Sequence, residues 1–169
     1  MKTRPKIKLN LSPLDKIVEF TSKIFLVAMW VLTLYVFPKL ATTIPIHFNG
    51  IGQADNYGDK STLLILPIIA TIIYFVLTLL NKYPHILNYR VNITEDNAHR
   101  QYTIATRMLR FTKLAIQLIF SLIILLTYLT SIGVTNGLGN WFLPLTLGLL
   151  LTPTIISIIQ SLRRKNSVA

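Results

Sequence analysis

Four long apolar runs dominate the pattern of hydrophobic and polar positions along the chain, and polar or basic stretches separate them. A helix rises about 1.5 Å per residue, so about 20 apolar residues cross a hydrocarbon layer of about 30 Å. The uncharged stretch 114–162 is too long for one span, and its Gly and Asn residues at 133–140 predict a dividing turn. The pattern therefore predicts transmembrane helices at about 17–37, 61–81, 109–132 and 141–162.

Proline and capping residues place the ends of these helices. Pro38 ends the first helix, whereas Pro67 and Pro153 lie inside the second and fourth helices and should kink them. Thr94, followed by two acidic residues, predicts the start of an amphipathic helix at the membrane surface that continues into the third span. The apolar positions of this helix are Ala98, Tyr102, Ala105 and Leu109.

The composition agrees with a membrane protein, because 52% of the residues are hydrophobic and only 14% are charged. A soluble domain carries about a quarter charged residues. We therefore expect an all-α membrane protein, a four-transmembrane-helix bundle that forms one domain over residues 1–169. The chain has no cysteine, so it offers no disulfide, no thiolate nucleophile and no Cys-based metal site.

The charge distribution predicts the orientation in the membrane. The net charge is +11, and all but two of the 17 Lys and Arg residues lie in the N-terminal segment through Lys23, the region 82–113 and the C-terminal tail. Under the positive-inside rule, both termini and the basic loop 82–108 are cytoplasmic. An ordered loop at 38–60 then faces the extracytoplasmic side. A secretory signal peptide stays open as an alternative for the first run, although no good cleavage site follows it.

The outer loop contains the most distinctive choice of residues. Ile44, Ile46 and Phe48 alternate with proline or polar residues, which predicts a short extended segment with one apolar edge. Two interpretations stay open: a cap packed on the helix ends, or a surface that binds an external peptide, a lipid or a partner protein. The candidate ligand- or partner-binding residues are His47, Asn49, Asp55, Tyr57 and Lys60.

A third interpretation makes His47, Asp55 and Asp59 metal ligands. Their spacing does not match the alternating pattern of oxygen-rich calcium loops. We therefore expect neither a metal nor a cofactor.

The outer loop reads Ile44-Pro45-Ile46-His47-Phe48-Asn49 and continues with Gly52, Asp55, Tyr57-Gly58 and Lys60 before an apolar helix with an early proline. Pro84-His85 and Ile93-Thr94-Glu95-Asp96-Asn97 precede a basic helix. Over about residues 20–129, this pattern resembles the bacterial membrane domain of unknown function, DUF1648 type, that forms the N-terminal part of SdpI-type immunity proteins.

The resemblance implies a small multi-pass protein of the bacterial cytoplasmic (inner) membrane. For the SdpI-type members it implies protection against a secreted toxic peptide and capture of a cytoplasmic repressor at the membrane. This chain is shorter than those members, so immunity is one possible function among several. No catalytic residue comes with the family.

The cytoplasmic basic region is a second candidate surface. Arg100, Arg107 and Arg110 are expected to lie largely away from the apolar positions on the helical wheel. There they would contact anionic lipids or dock an acidic cytoplasmic protein. Nucleic-acid binding is not expected, because no stacking aromatics or recognition-helix pattern accompanies the charge.

The predicted spans contain few ionisable residues. Glu19 and Lys23 are spaced i,i+4 and are expected to pair at the membrane interface, while Gln117 should hydrogen-bond a neighbouring helix. A proton-coupled carrier usually needs a central ionisable group, which disfavours a small transporter. The histidines His47, His85 and His99 belong to no catalytic motif, so we expect no enzyme.

The sequence therefore predicts a non-enzymatic multi-pass membrane protein that senses or binds an extracytoplasmic ligand through the loop 44–60. SdpI-like immunity and signalling are two forms of this function. An accessory subunit of a larger membrane complex is the alternative, and a small transporter is a weaker one.

Overall fold

The computed structural model describes residues 4–163 and contains four long helices and a β-hairpin. By length and composition, four helical segments are suited to cross a membrane, which supports the predicted four-span membrane protein: Pro13–Lys39, Lys60–Leu80, Glu95–Ser131 and Phe142–Leu162. The helices are α1 Pro13–Val36, α2 Ile65–Leu80, α3 Glu95–Ser131 and α4 Phe142–Leu162, and the strands are β1 Thr43–Phe48 and β2 Ala54–Asp59.

Side-chain caps begin α1 and α3. The Ser12 hydroxyl accepts a hydrogen bond from the Asp15 N–H, and the Asp15 carboxylate accepts one from the Ser12 N–H. Thr94 and Asn97 form the same reciprocal box at the start of α3. Each box satisfies backbone donors that a helix N-terminus leaves free. The start predicted at Thr94 and the stop predicted at Pro38 are both confirmed, since Pro38 lies in a short 3-10 turn after α1.

The predicted kink at Pro67 is wrong. A 3-10 turn, Lys60–Leu64, comes first, and α2 begins only at Ile65, so Pro67 occupies its first turn. A proline there removes no intrahelical hydrogen bond. Pro153 does lie inside α4. The surface helix and the third span are one helix of 37 residues, as their predicted continuity requires.

The loop predicted to face outward forms a β-hairpin, so the protein is mostly helical but not all-α. Strands β1 and β2 pair antiparallel from Thr43 opposite Asp59 to Phe48 opposite Ala54. The register shifts twice near His47, which leaves Ile46 and Asp55 without a directly opposed partner. These bulges break the period of two, so Ile46 is exposed instead of lying on the predicted apolar edge.

The core lies between α1, α2 and α3. Its largest buried cluster contains Met29 of α1, Ala70 of α2, Ile124 of α3 and Ile44 of the hairpin. Helix α4 packs mainly against α3, and Phe142 is its one buried residue within the part of the chain described. The predicted four-helix bundle is therefore better described as three packed helices with α4 on one side.

Two sets of connections lie at opposite ends of the helices. The hairpin end comprises the β-hairpin and the α3–α4 loop, 132–141. The terminal end comprises residues 4–12, the α2–α3 loop 81–94 and the end of α4. At the terminal end, the Tyr102 hydroxyl donates to the Pro5 carbonyl over 3.0 Å, and the Arg4 guanidinium donates to the His85 carbonyl over 3.1 Å. In the α2–α3 loop at this end, burial raises the pKa of the Tyr89 hydroxyl above its usual value.

Glycines allow the hairpin to contact the α3–α4 loop backbone to backbone. The Leu138 N–H donates to the Gly52 carbonyl over 2.7 Å, and Gly52 has a φ of 78°. A Cβ on Gly52 would overlap the backbone of Gly139, whereas a Cβ on Gly50 would meet nothing within 4 Å. Position 52 therefore requires glycine for its left-handed conformation and for the close approach of the loop.

We expect Gly52→Ala to destabilise the hairpin end by on the order of 2 kcal/mol, because it adds left-handed strain and a steric overlap. The measurement is thermal unfolding in mild detergent, followed by tryptophan fluorescence, since the Trp141 ring lies beside Gly139. Gly50→Ala is the matched control and should unfold like the wild type. Equal melting temperatures for the two variants would contradict the close approach.

The predicted orientation can be tested because the chain has no native cysteine. Ile51 at the hairpin end and Ile86 at the terminal end are 58% and 57% exposed, so Ile51→Cys and Ile86→Cys are matched reporters. In intact cells, a membrane-impermeant maleimide should label position 51 at once and position 86 only after permeabilisation. The opposite labelling order would overturn the orientation drawn from the basic residues.

Candidate functional site

An exposed polar patch lies on the hairpin. His47 Nδ1 is 2.5 Å from Asp55 Oδ1, and the two side chains are 66% and 41% exposed. The register shifts bring this pair together. One shift leaves Asp55 as an extra residue on β2, beside the position that pairs with His47. Tyr57 is also exposed and lies two residues further along β2 than Asp55. Three of the five predicted binding residues are therefore exposed on the hairpin.

The other two predicted residues hold the hairpin in place. Asn49 forms the turn: its side-chain oxygen accepts from the N–H groups of Ile51 and Gln53 over 3.1 and 3.0 Å. The Lys60 ammonium donates to the carbonyls of Phe37 and Leu40 over 3.4 and 3.3 Å. Those carbonyls follow α1, so Lys60 joins the base of the hairpin to the end of that helix.

Asp59 does not join His47 and Asp55 as a metal ligand. Its carboxylate accepts from the Ser61 N–H over 2.8 Å and caps the 3-10 turn before α2. Hydrogen bonds from Ser61 also hold the pKa of this carboxyl below its usual value. Within residues 4–163, no group of three His, Cys, Asp or Glu side chains is placed to hold a metal ion.

The predicted basic surface of α3 is wrong for Arg107 and Arg110, which face the protein interior. The Arg107 guanidinium donates to both carboxylate oxygens of the buried Asp15, over 2.9 and 3.1 Å. Arg110 is only 5% exposed, and its Nε lies 3.2 Å from Glu19 Oε1. Arg100 is half-buried and donates to the carbonyls of Gln160 and Arg163 at the end of α4.

Lys113 was not identified as a site residue, and it is fully buried. Its ammonium donates to Glu19 over 2.6 Å and to the Thr78 hydroxyl over 2.9 Å, and it lies 4.5 Å from the centre of the Tyr74 ring. The predicted pair of Glu19 with Lys23 is wrong, since Glu19 instead binds α3 and Lys23 is exposed. Glu19 thus joins α1 to α3, and Lys113 extends the contact to α2.

A polar stripe at helical spacing is the sequence signal that would have revealed this arrangement. Its members recur every three or four residues along α3, and all of them are buried. Gln117 ends the stripe and donates to the Ala70 carbonyl over 3.3 Å, which confirms its predicted bond to a neighbouring helix. The stripe consists of Tyr102, Thr106, Arg110, Lys113 and Gln117.

Comparison with known proteins identifies the segment that carries the hairpin. Residues 24–71 match the model of the family described as Domain of unknown function (DUF1648), which runs from α1 through the hairpin into α2. The predicted resemblance to this domain is confirmed over these residues. The chain therefore has four membrane-type helices, and one segment of it, residues 24–71, matches the DUF1648 model.

An uncharacterized protein of Archaeoglobus fulgidus is 32% identical over 68 residues. The match covers 36% of this chain and 37% of that protein, so the chain spans little more than a third of this relative's length. No solved structure matches the chain.

Replacing Glu19 should show which lysine is its partner. We expect Glu19→Gln to lower the free energy of unfolding by about 3–5 kcal/mol, because it leaves Arg110 and Lys113 without their shared carboxylate. Lys23→Gln is the control and should change it by less than about 0.5 kcal/mol, as exposed substitutions do. Thermal unfolding in detergent measures both. A larger loss for Lys23→Gln would restore the pair predicted from the sequence.

Proposed function

We propose that the protein is a non-enzymatic multi-pass membrane protein whose hairpin binds a ligand or partner outside the cytoplasm. The observation that carries this proposal is the exposed patch of His47, Asp55 and Tyr57 on the hairpin. Exposed Ile46 and Ile51 lie on the same hairpin and add apolar area. A mixture of aromatic, apolar and charged side chains is suited to contact a peptide or protein.

The rigidity of the hairpin supports a role in binding. Lys60 anchors its base to the end of α1, buried Ile44 packs into the core, and Gly52 accepts a hydrogen bond from the α3–α4 loop. A surface that is already ordered loses less conformational entropy when a partner binds. The hairpin therefore presents the patch in one conformation instead of ordering it on binding.

The distribution of charge supports placing the hairpin outside the cell and both termini in the cytoplasm. The exposed basic side chains of the terminal end include Lys6, Lys8, Lys82 and Arg90, whereas the hairpin end has Lys39 and Lys60. In a bacterial cytoplasmic membrane, the positive-inside rule then directs the terminal end inward. There these side chains would contact anionic lipids or a cytoplasmic partner.

SdpI-like immunity or signalling is the specific form that we propose for this binding. The matched segment 24–71 contains the whole hairpin, and the resemblance to SdpI-type proteins suggests a secreted peptide as the ligand. In that case, cells that express the protein should survive a secreted toxic peptide better than cells that express a variant lacking the patch.

A second candidate, an accessory subunit of a larger membrane complex, rests on α4. This helix is apolar along its length, and most of its side chains are exposed, including Leu147, Leu151 and Ile155. Lipid covers such a face, and so does a helix of another membrane protein. A stoichiometric integral-membrane protein that co-purifies, and is lost when this face is altered, would favour the subunit over the surface receptor.

A photoreactive side chain tests the hairpin directly. We expect a benzoyl-phenylalanine at position 57 to form one defined protein or peptide adduct in intact cells, because the Tyr57 side chain is 59% exposed on the hairpin. The same probe at Tyr83, which is 48% exposed at the terminal end, is the control. Gel shifts and mass spectrometry identify the adducts.

The double substitution His47→Ala and Asp55→Ala should remove the adduct at position 57 and leave the melting temperature unchanged, because both side chains are exposed. The proposal fails if position 57 yields only lipid adducts, or if the adduct survives this double substitution.

A further inference from the structure

A cavity at the terminal end has positive charge without a matching acid. Its volume is about 400 Å³, and it lies between the N-terminal segment, α1, the end of α2 and α3. Arg110, Glu19 and Asn81 form its inner wall, and Lys8 and Lys82 line it as exposed residues. This volume is within the range of small-molecule sites in proteins.

The charges around the inner wall do not balance. Glu19 is a single carboxylate, and it faces both Arg110 and Lys113. The other acid nearby, Asp15, already binds Arg107. One buried positive charge is therefore left without a counter-charge, and burying an uncompensated charge is costly. An anion in the cavity would remove that cost.

Arg110 has unused hydrogen-bonding capacity. Its Nε is close enough to Glu19 for an ionic contact, but it makes no hydrogen bond to any residue of the described range 4–163. Lys113, in contrast, donates to both Glu19 and Thr78. A buried guanidinium N–H without a hydrogen bond is rare, because the donor loses its contact with water and gains no hydrogen bond in return.

The Asn81 side chain, at the end of α2, also has buried polar atoms without hydrogen bonds. Both its amide nitrogen and its amide oxygen are buried, and neither has a hydrogen-bond partner among the residues described. The nitrogen is a neutral donor, and the oxygen is suited to a hydroxyl or ammonium group. Two independent side chains that line this cavity, Arg110 and Asn81, thus have buried polar atoms without hydrogen bonds.

We propose that this cavity binds a phosphate group, either the headgroup of an anionic lipid or a soluble phosphate compound. The guanidinium fork of Arg110 matches phosphate oxygens, and Lys8 and Lys82 add charge at the edge of the cavity. Ile7, Leu9 and Pro84 give the remaining wall an apolar surface that fits the glycerol and acyl carbons of a lipid.

The test uses the full chain with two probes: inorganic phosphate added to protein in detergent, and lipid nanodiscs with either phosphatidylglycerol or phosphatidylcholine. Melting temperature is the readout, because a ligand that binds only the folded state raises it. A rise with phosphatidylglycerol alone identifies a lipid headgroup. A rise with inorganic phosphate as well identifies a site for soluble phosphate.

Matched variants separate the cavity from general surface charge. Lys8→Ala with Lys82→Ala should weaken binding of the effective probe at least tenfold. Lys6→Ala with Lys16→Ala removes the same charge from exposed lysines outside the cavity and should leave binding within twofold of the wild type. Asn81→Ala changes no charge and should also weaken binding several-fold.

The proposal is overturned if neither probe raises the melting temperature of the wild type. It is also overturned if both lysine pairs weaken binding equally, because that result would mean attraction to the whole basic surface.

Discussion

The shared carboxylate of Glu19 holds the helical core together at its terminal end. It lies between Arg110 and Lys113, so α1 and α3 are joined by ionic contacts whose partners are largely removed from water. Charges in such surroundings interact more strongly than charges on a surface, but they also cost more to leave unpaired. These contacts restrict the position of α1 along α3, because a shift by one turn would separate the acid from at least one of its two bases.

Helix α3 faces its neighbours with polar residues as well as with apolar ones such as Ile119 and Ile124. In lipid, apolar side chains gain little by facing another helix, so polar groups that find partners there provide specific contacts. The stripe from Tyr102 to Gln117 does this for two neighbouring helices, and Arg100 continues it to the end of α4. Many other apolar side chains of α1 and α4 point outward, as with Phe20 and Leu151.

The sequence was sufficient to predict the four helical spans, but not the second strand of the hairpin or which groups pair. Four spans, the cap at Thr94 and the bond from Gln117 to a neighbouring helix all follow from local patterns, and the structure has each of them. The partner of Glu19 was mispredicted, because the local i,i+4 rule favours Lys23 and says nothing of a helix about 90 residues away. The buried ionisable groups also weaken the sequence argument against a transporter, which relied on their absence.

At the candidate site, the sequence was sufficient to select the candidate binding residues. Which of them are exposed depends on the bulges of the hairpin, which the sequence did not predict. A regular strand would have placed Ile44, Ile46 and Phe48 on one face, whereas the two register shifts expose Ile46 and bring Asp55 to His47. Asn49 and Lys60 looked similar to the exposed residues in the sequence, since hydrogen bonds to backbone atoms leave no local pattern. Their structural roles depend on where the chain returns in space.

The hydrogen bond from Leu138 to Gly52 shows that the segment matched by the family model depends on residues outside it for its folded structure. The family match ends at residue 71, yet the turn of its hairpin is completed by a backbone N–H that lies 86 residues further along the chain than Gly52. A fragment restricted to the matched segment would leave the Gly52 carbonyl open and would lose α3 from the core. Proteins that share this segment must therefore supply an equivalent support from elsewhere, or else they hold the hairpin differently.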